Sequence, residues 1–302
     1  MQTTPVTTED LNSSPIAVPP LARNDDYTVN RAENEKIIRH IENGGVNIFL
    51  YGGNANFYHI RPSEFESTLA LIEECAAENS IMIPSAGPAY GLKMDQAKIL
   101  KGTKFPTAMV LPQEGIMTEA GLLTGFRHFV EAIERPAVLY IKRDGYITPQ
   151  GAAKLVDDGL VSFIKYAIVQ EDPAEDPYLS ELVETVDRKL IVSGIGEQPA
   201  VAHLTKFGIT GFTAGCICVR PDLTKELMSV IQSGNLDRAA EIQAIFRPLE
   251  DLRNSINPIR VLHEAVELAG IAKTGPQIPL LCGLTDEQRE AVGNAAKELL
   301  AQ

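Results

Sequence analysis

The chain has 302 residues and a formal net charge of −13. This acidic balance argues against nucleic-acid binding, since phosphate contacts need clustered Lys and Arg. The four cysteines are too few and too scattered for a disulfide scaffold, and the five histidines show no metal-type spacing. No stretch approaches the ~20 apolar residues of a membrane helix, and residues 1–10 lack a signal-peptide core, so we expect a cytoplasmic protein without a membrane partner.

Strand and helix patterns alternate from residue 15 to about residue 220. Eight apolar runs predict strands, at residues 15–22, 46–51, 81–84, 107–111, 137–141, 161–169, 190–192 and 209–213. Helical patterns follow them, at residues 30–43, 62–79, 95–101, 118–134, 148–158, 179–187, 199–207 and 222–233. This alternation predicts a parallel sheet, and eight units of this length favour a closed (β/α)8 TIM barrel. The main rival is an open doubly wound sheet, although no G-x-G-x-x-G loop follows the first strand.

The chain divides into three predicted parts. Residues 1–14 are polar and predict a flexible tail. Residues 15–233 predict the barrel. Residues 234–302 contain no strand pattern and predict a C-terminal helical appendage, with helices at 237–253, 258–269 and 286–301.

Lys165 lies near the end of the apolar, β-branched run of the sixth predicted strand. An ammonium in such a run is costly unless it is paired or loses its proton. A neutral amine can attack a carbonyl carbon and form a Schiff base. The alternative is a lysine whose ammonium reaches solvent at the strand end.

Catalytic groups of a barrel enzyme lie at the C-terminal ends of its strands. Tyr140 ends the strand before that of Lys165, so a phenol beside the amine is predicted to relay protons. The remaining strand ends provide predicted substrate-binding residues, which are Gly52, Gly53, Asn54, Glu114, Arg143, Gly194 and Thr213.

Each of these candidates has a simpler alternative. A glycine-rich turn such as residues 52–56 can hold a carboxylate with backbone N–H groups, but an ordinary turn looks the same in sequence. Lys142 is the rival Schiff-base lysine, although the polar residues that follow it predict a solvated side chain. Glu114 could act as an acid or base, or could be a solvated loop carboxylate.

Taken together, these residues resemble the dihydrodipicolinate synthase and N-acetylneuraminate lyase superfamily. The resemblance rests on Lys165 in Phe-Ile-Lys, Tyr140 in Val-Leu-Tyr and the glycine-rich loop after the second strand. Further matches in the same order are residues 190–194 (LIVSG), 208–221 (GITGFTAGCICVRP), 257–259 (NPI) and 278–281 (IPLL). The resemblance implies a Schiff base between Lys165 and pyruvate or another 2-oxo acid, with Tyr140 as proton carrier. It also implies a homotetramer, and no cofactor or metal is expected because the imine itself serves as the electron sink.

The departures from the family pattern argue against dihydrodipicolinate synthase activity. The family loop reads Gly-Thr-Thr-Gly-Glu, whereas residues 52–56 read Gly-Gly-Asn-Ala-Asn and lack both hydroxyls. The synthases carry a second tyrosine near residues 112–114 and an arginine at the position of Gly145, and neither is present. Residues 140–144 (YIKRD) are more similar to the ketodeoxyglucarate dehydratases.

The sequence therefore predicts a Schiff-base-forming lyase of the aldolase type that acts on pyruvate or another 2-oxo acid. One alternative is a dehydratase of a sugar-derived 2-oxo acid that uses the same imine. The alternative of another class is a non-catalytic barrel that binds a 2-oxo acid.

Overall fold

The computed structural model describes all 302 residues and contains a closed barrel of eight parallel strands. Each strand pairs with its neighbours in chain order, and the pairing of the first strand with the last closes the barrel. The strands are β1 (Ile16–Ala17), β2 (Ile48–Tyr51), β3 (Ile81–Ala86), β4 (Met109–Val110), β5 (Ala137–Ile141), β6 (Val161–Tyr166), β7 (Ile191–Ser193) and β8 (Gly211–Ala214). The predicted TIM barrel is confirmed.

One helix precedes the barrel and one helix follows each strand. They are α1 (Thr8–Ser13), α2 (Arg31–Asn43), α3 (Pro62–Cys75), α4 (Tyr90–Lys101), α5 (Glu119–Ile133), α6 (Pro149–Asp157), α7 (Pro177–Thr185), α8 (Glu197–Lys206) and α9 (Pro221–Gln232). Local capping explains several starts, because Asn30, Thr118, Thr148 and Asp176 each accept a hydrogen bond from a first-turn N–H. None of the chain's helices has the length and apolarity needed to cross a membrane.

Residues 1–14 differ from the predicted flexible tail, because they contain α1. Thr7 and Asp10 form a capping box at its start. Leu11 is 1% exposed, and its carbonyl oxygen lies 2.8 Å from the place where a Cβ on Gly211 would stand. The helix therefore packs against β8, and the polar composition of the segment reflects only its outer face.

The C-terminal appendage consists of three helices, as the sequence predicts. They are α10 (Leu236–Ser255), α11 (Pro258–Leu268) and α12 (Asp286–Ala301). Helix α10 packs against α8 and α9 of the barrel, and α11 and α12 pack against α10 and each other. This arrangement brings the end of α10 and the start of α11 over the C-terminal ends of the strands.

Several strands are shorter than predicted. The apolar run at residues 161–169 is a strand only to Tyr166, and Val169 is 74% exposed. The apolar run thus continues past the end of β6, and Ala167 and Val169 line the cavity at the mouth of the barrel. Helix α4 begins at Tyr90, five residues before its predicted start. The prediction missed this first turn because the pattern of Tyr90 to Lys93 resembles that of a loop.

Candidate active site

A cavity of about 310 Å³ opens at the C-terminal ends of the strands. Its lining comes from the ends of β1, β2, β5, β6, β7 and β8 and from α10 and α11. The predicted site residues that line it are Gly53, Asn54, Tyr140, Lys165, Gly194 and Thr213. The structure therefore collects six of the nine predicted residues at one place.

Lys165 and Tyr140 are direct register partners on β6 and β5. Since side chains alternate along a strand, partners in register lie on the same face, which here is the barrel interior. The Lys165 ammonium nitrogen lies 4.5 Å from the centroid of the Tyr140 ring. The ammonium therefore lies against the Tyr140 ring at the same end of the barrel.

Lys165 is 6% exposed and forms no ion pair. Burial lowers its pKa to about 7, and the positive charges of Arg253 and Lys142 add to the effect. A substantial fraction of the amine is therefore neutral and nucleophilic near neutral pH. Burial also raises the pKa of Tyr140 to about 12, so its hydroxyl stays protonated and can donate.

Gly194 allows the Lys165 side chain to lie where it does. A Cβ at residue 194 would come within 2.7 Å of the Ala167 Cβ, 2.8 Å of the Tyr166 carbonyl oxygen and 3.0 Å of the Lys165 Cε. The Gly194 N–H donates to the same Tyr166 carbonyl. A side chain at this position would push β7 away from the lysine.

The loop after β2 contains unused backbone donors, and two of its residues, Gly53 and Asn54, line the cavity. The N–H groups of Gly53, Asn54 and Ala55 have no acceptor within the chain, whereas those of Asn56 and Phe57 donate to Gly53 and Gly52 carbonyls. The Asn54 side chain donates to the Val18 carbonyl at 3.0 Å, which ties the loop to the end of β1. Consecutive free N–H groups of this kind suit a carboxylate.

Three predicted substrate-binding residues do not line the cavity, and here the structure corrects the prediction. Gly52 packs inside the barrel, where a Cβ would meet the Met109 Cε at 2.6 Å. The chain leaves the barrel after Ile141, so Arg143 is exposed and donates to the Asp144 carbonyl. The Glu114 side chain is 69% exposed and pairs with Lys142 at 3.6 Å.

Lys142, the rival lysine, does line the cavity, but its position is different. Its side chain is 43% exposed, and its ammonium lies 5.3 Å from the centroid of the Tyr58 ring. It has a carboxylate partner and access to water. Lys165, which is buried and has no carboxylate partner, is therefore the better candidate for the nucleophile.

Tyr58 is a site residue that the sequence reasoning missed. It lies in the one-turn helix Phe57–His59 after the glycine-rich loop, and its hydroxyl is buried without a hydrogen-bond partner. Burial raises its pKa, and it lines the same cavity as Tyr140. The aromatic pair directly after the loop was the available signal.

Arg253 is the second missed residue, and it belongs to α10. Its side chain is 11% exposed and pairs with Glu250 at 3.2 Å. Glu250 is fully buried and accepts hydrogen bonds from the N–H groups of Glu197 and Gln198 at the start of α8. The sequence offered no local signal, because α10 meets the loop after β7 only in the folded chain.

Behind Arg253, buried Glu197 faces Glu250 and Cys216. Burial and the neighbouring Glu250 raise the pKa of Glu197 well above its usual range. One oxygen of Glu197 accepts from the Thr224 hydroxyl, and the other accepts no hydrogen bond.

A sequence model of the dihydrodipicolinate synthetase family matches residues 15–299. The chain belongs to this family. Family members are lyases, and the prediction of a carbon–carbon or carbon–oxygen lyase is confirmed at that level. The family also confirms the superfamily resemblance of the strand-end residues.

Individual relatives are distant. A probable 5-dehydro-4-deoxyglucarate dehydratase of Streptomyces avermitilis is 24% identical over 251 residues, which cover 80% of this chain and 78% of the relative. A 4-hydroxy-tetrahydrodipicolinate synthase of Methanopyrus kandleri is 32% identical over 177 residues, which cover 57% and 56%. The family is therefore shared with relatives of more than one activity.

Solved structures agree on the fold. Dihydrodipicolinate synthase from Oceanobacillus iheyensis superposes with a TM-score of 0.85 at 19% identity, over 98% of each chain. An E. coli K12 protein of the same family, solved in complex with pyruvate, gives 0.83 at 15% identity over 95% of this chain and 98% of that one. These similarities establish the barrel and its appendage in this family.

Proposed function

We propose that this protein is a Schiff-base-forming lyase of the aldolase type that acts on pyruvate or another 2-oxo acid through Lys165. The observation that carries the proposal is the placement of Lys165. Its amine is buried without a carboxylate partner, faces the Tyr140 ring at 4.5 Å and opens on a cavity at the strand ends. A surface lysine would show none of these properties.

The first step is attack of the neutral Lys165 amine on the C2 carbonyl carbon of the acid. The carbon–nitrogen bond forms, the carbonyl oxygen becomes a hydroxyl, and loss of water gives a protonated imine. The oxygen needs a proton before it can leave. The Tyr140 hydroxyl, which is protonated at neutral pH, is placed to supply it.

The C1 carboxylate belongs at the loop after β2. The free N–H groups of Gly53 and Asn54, which line the cavity, provide donors for its oxygens. Backbone donors do this without the threonine hydroxyls that the family pattern carries. Thr213, buried at the cavity wall, adds a side-chain hydroxyl on the adjacent side.

Tyr58 takes the place of the missing hydroxyls in the proton relay. Its buried, unpartnered hydroxyl lines the cavity beside Tyr140. A phenol in this position can accept a proton from Tyr140 through its oxygen while it donates its own to a bound water or substrate. The Glu114 carboxylate is too exposed to serve this purpose.

Bond cleavage then uses the protonated imine as an electron sink. In the aldolase reaction the C4 hydroxyl loses a proton, the C3–C4 bond breaks, and its electron pair moves into the enamine of pyruvate. The aldehyde leaves, the enamine takes a proton on C3, and water releases pyruvate from Lys165. No further cofactor is needed for this sequence.

A dehydratase is the second candidate. It shares every step to the imine, after which C3 loses a proton and the C4 hydroxyl leaves as water. The relative named as a dehydratase and the YIKRD segment at residues 140–144 favour it. Dihydrodipicolinate synthase activity is not part of the proposal, because Gly145 stands where the synthases carry an arginine.

The proposal includes a homotetramer in the cytoplasm, as the family resemblance implies. Light scattering on the purified protein tests the assembly. If the protein is a monomer, the proposed homotetramer is wrong, but the proposed imine chemistry is unaffected.

Borohydride trapping tests the central step. The protein is incubated with pyruvate, reduced and read by intact mass and peptide mapping, and we expect one pyruvate-sized adduct on Lys165. An adduct on Lys142 would support imine formation but would assign it to Lys142 instead of Lys165. If neither pyruvate nor longer 2-oxo acids give an adduct, the binding-protein alternative is favoured.

A further inference from the structure

A buried pair of carboxyl groups lies behind the cavity, where the appendage meets the barrel. Glu197 begins α8 and Glu250 belongs to α10, and both side chains are completely buried. One carboxyl oxygen of each residue and the Cys216 sulfur lie within 4.8 Å of one another. Two carboxyl groups this close in a protein interior need either a proton or a cation between their charges.

The surroundings of Glu250 favour its charged form. Helix α8 has no side-chain cap of its own, since Gly196 stands at its N-cap position. The Glu250 carboxylate takes this role and accepts the N–H groups of Glu197 and Gln198 at 3.0 and 2.7 Å. Arg253 donates to the same carboxylate at 3.2 Å. Two N–H groups at a helix start and a guanidinium therefore stabilise a negative charge on Glu250.

The surroundings of Glu197 favour its neutral form. The ion pair at this junction joins Arg253 to Glu250 and leaves Glu197 without a cation. One oxygen of Glu197 accepts from the Thr224 hydroxyl at 2.9 Å, and the other is buried without a hydrogen-bond partner. An ionised carboxylate with a single donor is costly in a protein interior, whereas a protonated one can donate to Glu250.

The two cysteines that face the pair add no charge. Cys216 and Cys218 lie in the one-turn helix after β8, and burial raises the pKa of both thiols, so they are neutral at physiological pH. Burial and the charge of Glu250 also raise the pKa of Glu197 well above its usual range. Burial raises the pKa of Glu250 too, but Arg253 and the N–H groups of α8 act in the opposite direction. One proton on Glu197 therefore leaves the junction electrically neutral.

The pair also supports one wall of the cavity. Arg253 and residues 194–196 of the loop after β7 line the cavity. The two parts are in close contact, because a Cβ on Gly196 would come within 2.8 Å of the Arg253 Nη1. Glu250 binds both the guanidinium and the N–H groups that follow Gly196. Movement of Glu250 would therefore displace Arg253 and this loop together.

We propose that Glu197 is a positioning residue that carries a proton at neutral pH and donates it in a hydrogen bond to ionised Glu250, which holds Arg253 and the loop after β7 at the cavity. Glu197 itself does not line the cavity. The proton belongs to the folded protein, since a glutamate in an unfolded chain is ionised above about pH 5. The inference rests on the proposed Schiff-base function only for its effect on imine formation.

The pH dependence of unfolding tests the proton. Denaturant unfolding at one protein concentration gives the folding equilibrium constants of the wild type, Glu197→Gln and Glu197→Met. The wild type releases this proton when it unfolds, whereas neither variant has one to release. We expect the constant of each variant, divided by that of the wild type, to rise up to about tenfold per pH unit above about pH 5. A ratio that does not change with pH would show that Glu197 is ionised in the folded protein and would overturn the proposal.

Infrared spectroscopy detects the same proton without unfolding the chain. At about pH 8 exposed carboxyl groups are ionised, so the carbonyl stretch of a protonated carboxylic acid reports a buried group. We expect this band in the wild type and not in Glu197→Gln. A band that the variant retains belongs to another carboxyl group and contradicts the assignment. If the band is absent and elemental analysis finds a bound metal ion, a cation separates the two carboxylates and the proposal is wrong.

The two variants also separate the hydrogen bond from the proton. Glutamine keeps a donor toward Glu250, whereas methionine has a similar length and no donor. We expect Glu197→Gln to trap pyruvate with borohydride at close to the wild-type rate and Glu197→Met to trap it about tenfold more slowly, near the value of one hydrogen bond. A methionine variant that fails to fold while the glutamine variant folds also supports the hydrogen bond.

Equal trapping rates in the two folded variants would overturn the positioning role. The proton and the Schiff base can fail separately in these experiments. A wild type that shows the infrared band but traps no 2-oxo acid supports the proton on Glu197 and overturns the Schiff-base function. A wild type that traps pyruvate without the band does the reverse.

Discussion

Two regions of this molecule each contain a buried lysine. Lys165 is 6% exposed at the mouth of the barrel, and Lys93 is 7% exposed on α4, in a cavity of about 790 Å³ between α4 and α5. Neither has a carboxylate partner. Burial lowers the pKa of Lys93 to about 8 and that of Lys165 to about 7.

The two lysines differ in the groups that surround them. Lys93 lies 5.9 Å from the centroid of the Tyr90 ring, and Tyr90 is half exposed. Lys165 faces Tyr140, has two cations nearby and opens on a loop with free N–H groups. Burial is thus common to both lysines, so burial alone does not make a catalytic lysine.

The largest effect is expected when each of the two lysines is replaced in turn. Lys165→Ala should reduce turnover and pyruvate trapping to background, because the other lysine that lines the cavity, Lys142, is exposed and paired with Glu114. The matched variant Lys93→Ala should trap pyruvate at the wild-type rate. Mass spectrometry after borohydride reduction measures both, and an adduct that persists in Lys165→Ala would reject the assignment.

The next effect concerns the two phenols. Tyr140→Phe should lower kcat by about 10²- to 10⁴-fold, as expected for a lost acid–base group, with a much smaller change in 2-oxo acid affinity. Tyr58→Phe removes one relay hydroxyl and should lower kcat by about tenfold, close to the value of one hydrogen bond. Steady-state kinetics and calorimetry separate the two quantities. Equal losses in kcat and affinity would mean that the hydroxyl only positions the ligand.

The third effect is on pH dependence. The rate of imine formation should rise with pH along a limb centred near 7, because only the neutral Lys165 amine attacks. Arg253→Gln removes a repelling charge, so the pKa of Lys165 should increase and the limb should move to higher pH. Lys93→Ala should leave the limb in place. Stopped reactions with borohydride across pH 6–10 give the profile, and a limb near 10 in the wild type would contradict a buried amine.

The smallest effect is on stability. A buried lysine whose pKa is lowered binds fewer protons when folded than when unfolded, so it destabilises the protein at pH values below the unfolded pKa. Lys93→Met should therefore raise the free energy of unfolding by about 1–3 kcal/mol at pH 7. The gain should be complete below pH 8 and should fade toward pH 10. Denaturant unfolding at both pH values measures it, and a gain that does not change with pH would point to packing instead of charge.

Local patterns predicted most of the fold and the centre of the site. Strand and helix patterns depend on residues that are close together in the sequence. These patterns therefore identified all eight strands and the helices of the appendage. Lys165 and Tyr140 could be found because sequential strands are neighbours in a barrel, and the register pairs them directly. Residues 1–14 were misjudged, because α1 is stabilised by its packing on β8 and carries few apolar residues of its own.

The outer parts of the site depend on where loops turn after the strands end. Arg143 and Glu114 have the right chemistry and the right positions in the sequence, yet both side chains point to solvent. Tyr58 turns inward from a loop with an αL residue, Asn56, at the start of its single helical turn. Side-chain direction in such loops follows from their backbone geometry, which residue types alone specify weakly.

The sequence by itself determined the barrel, the family and the lysine–tyrosine pair, because strand periodicity and strand order are local properties. Only the tertiary structure decided the charge of the cavity and the presence of Arg253 in it. Arg253 reaches the site because α10 packs on α8 and a buried glutamate pair fixes its end. Contacts between residues so distant in the chain depend on how whole elements pack, and no periodicity along the chain records them.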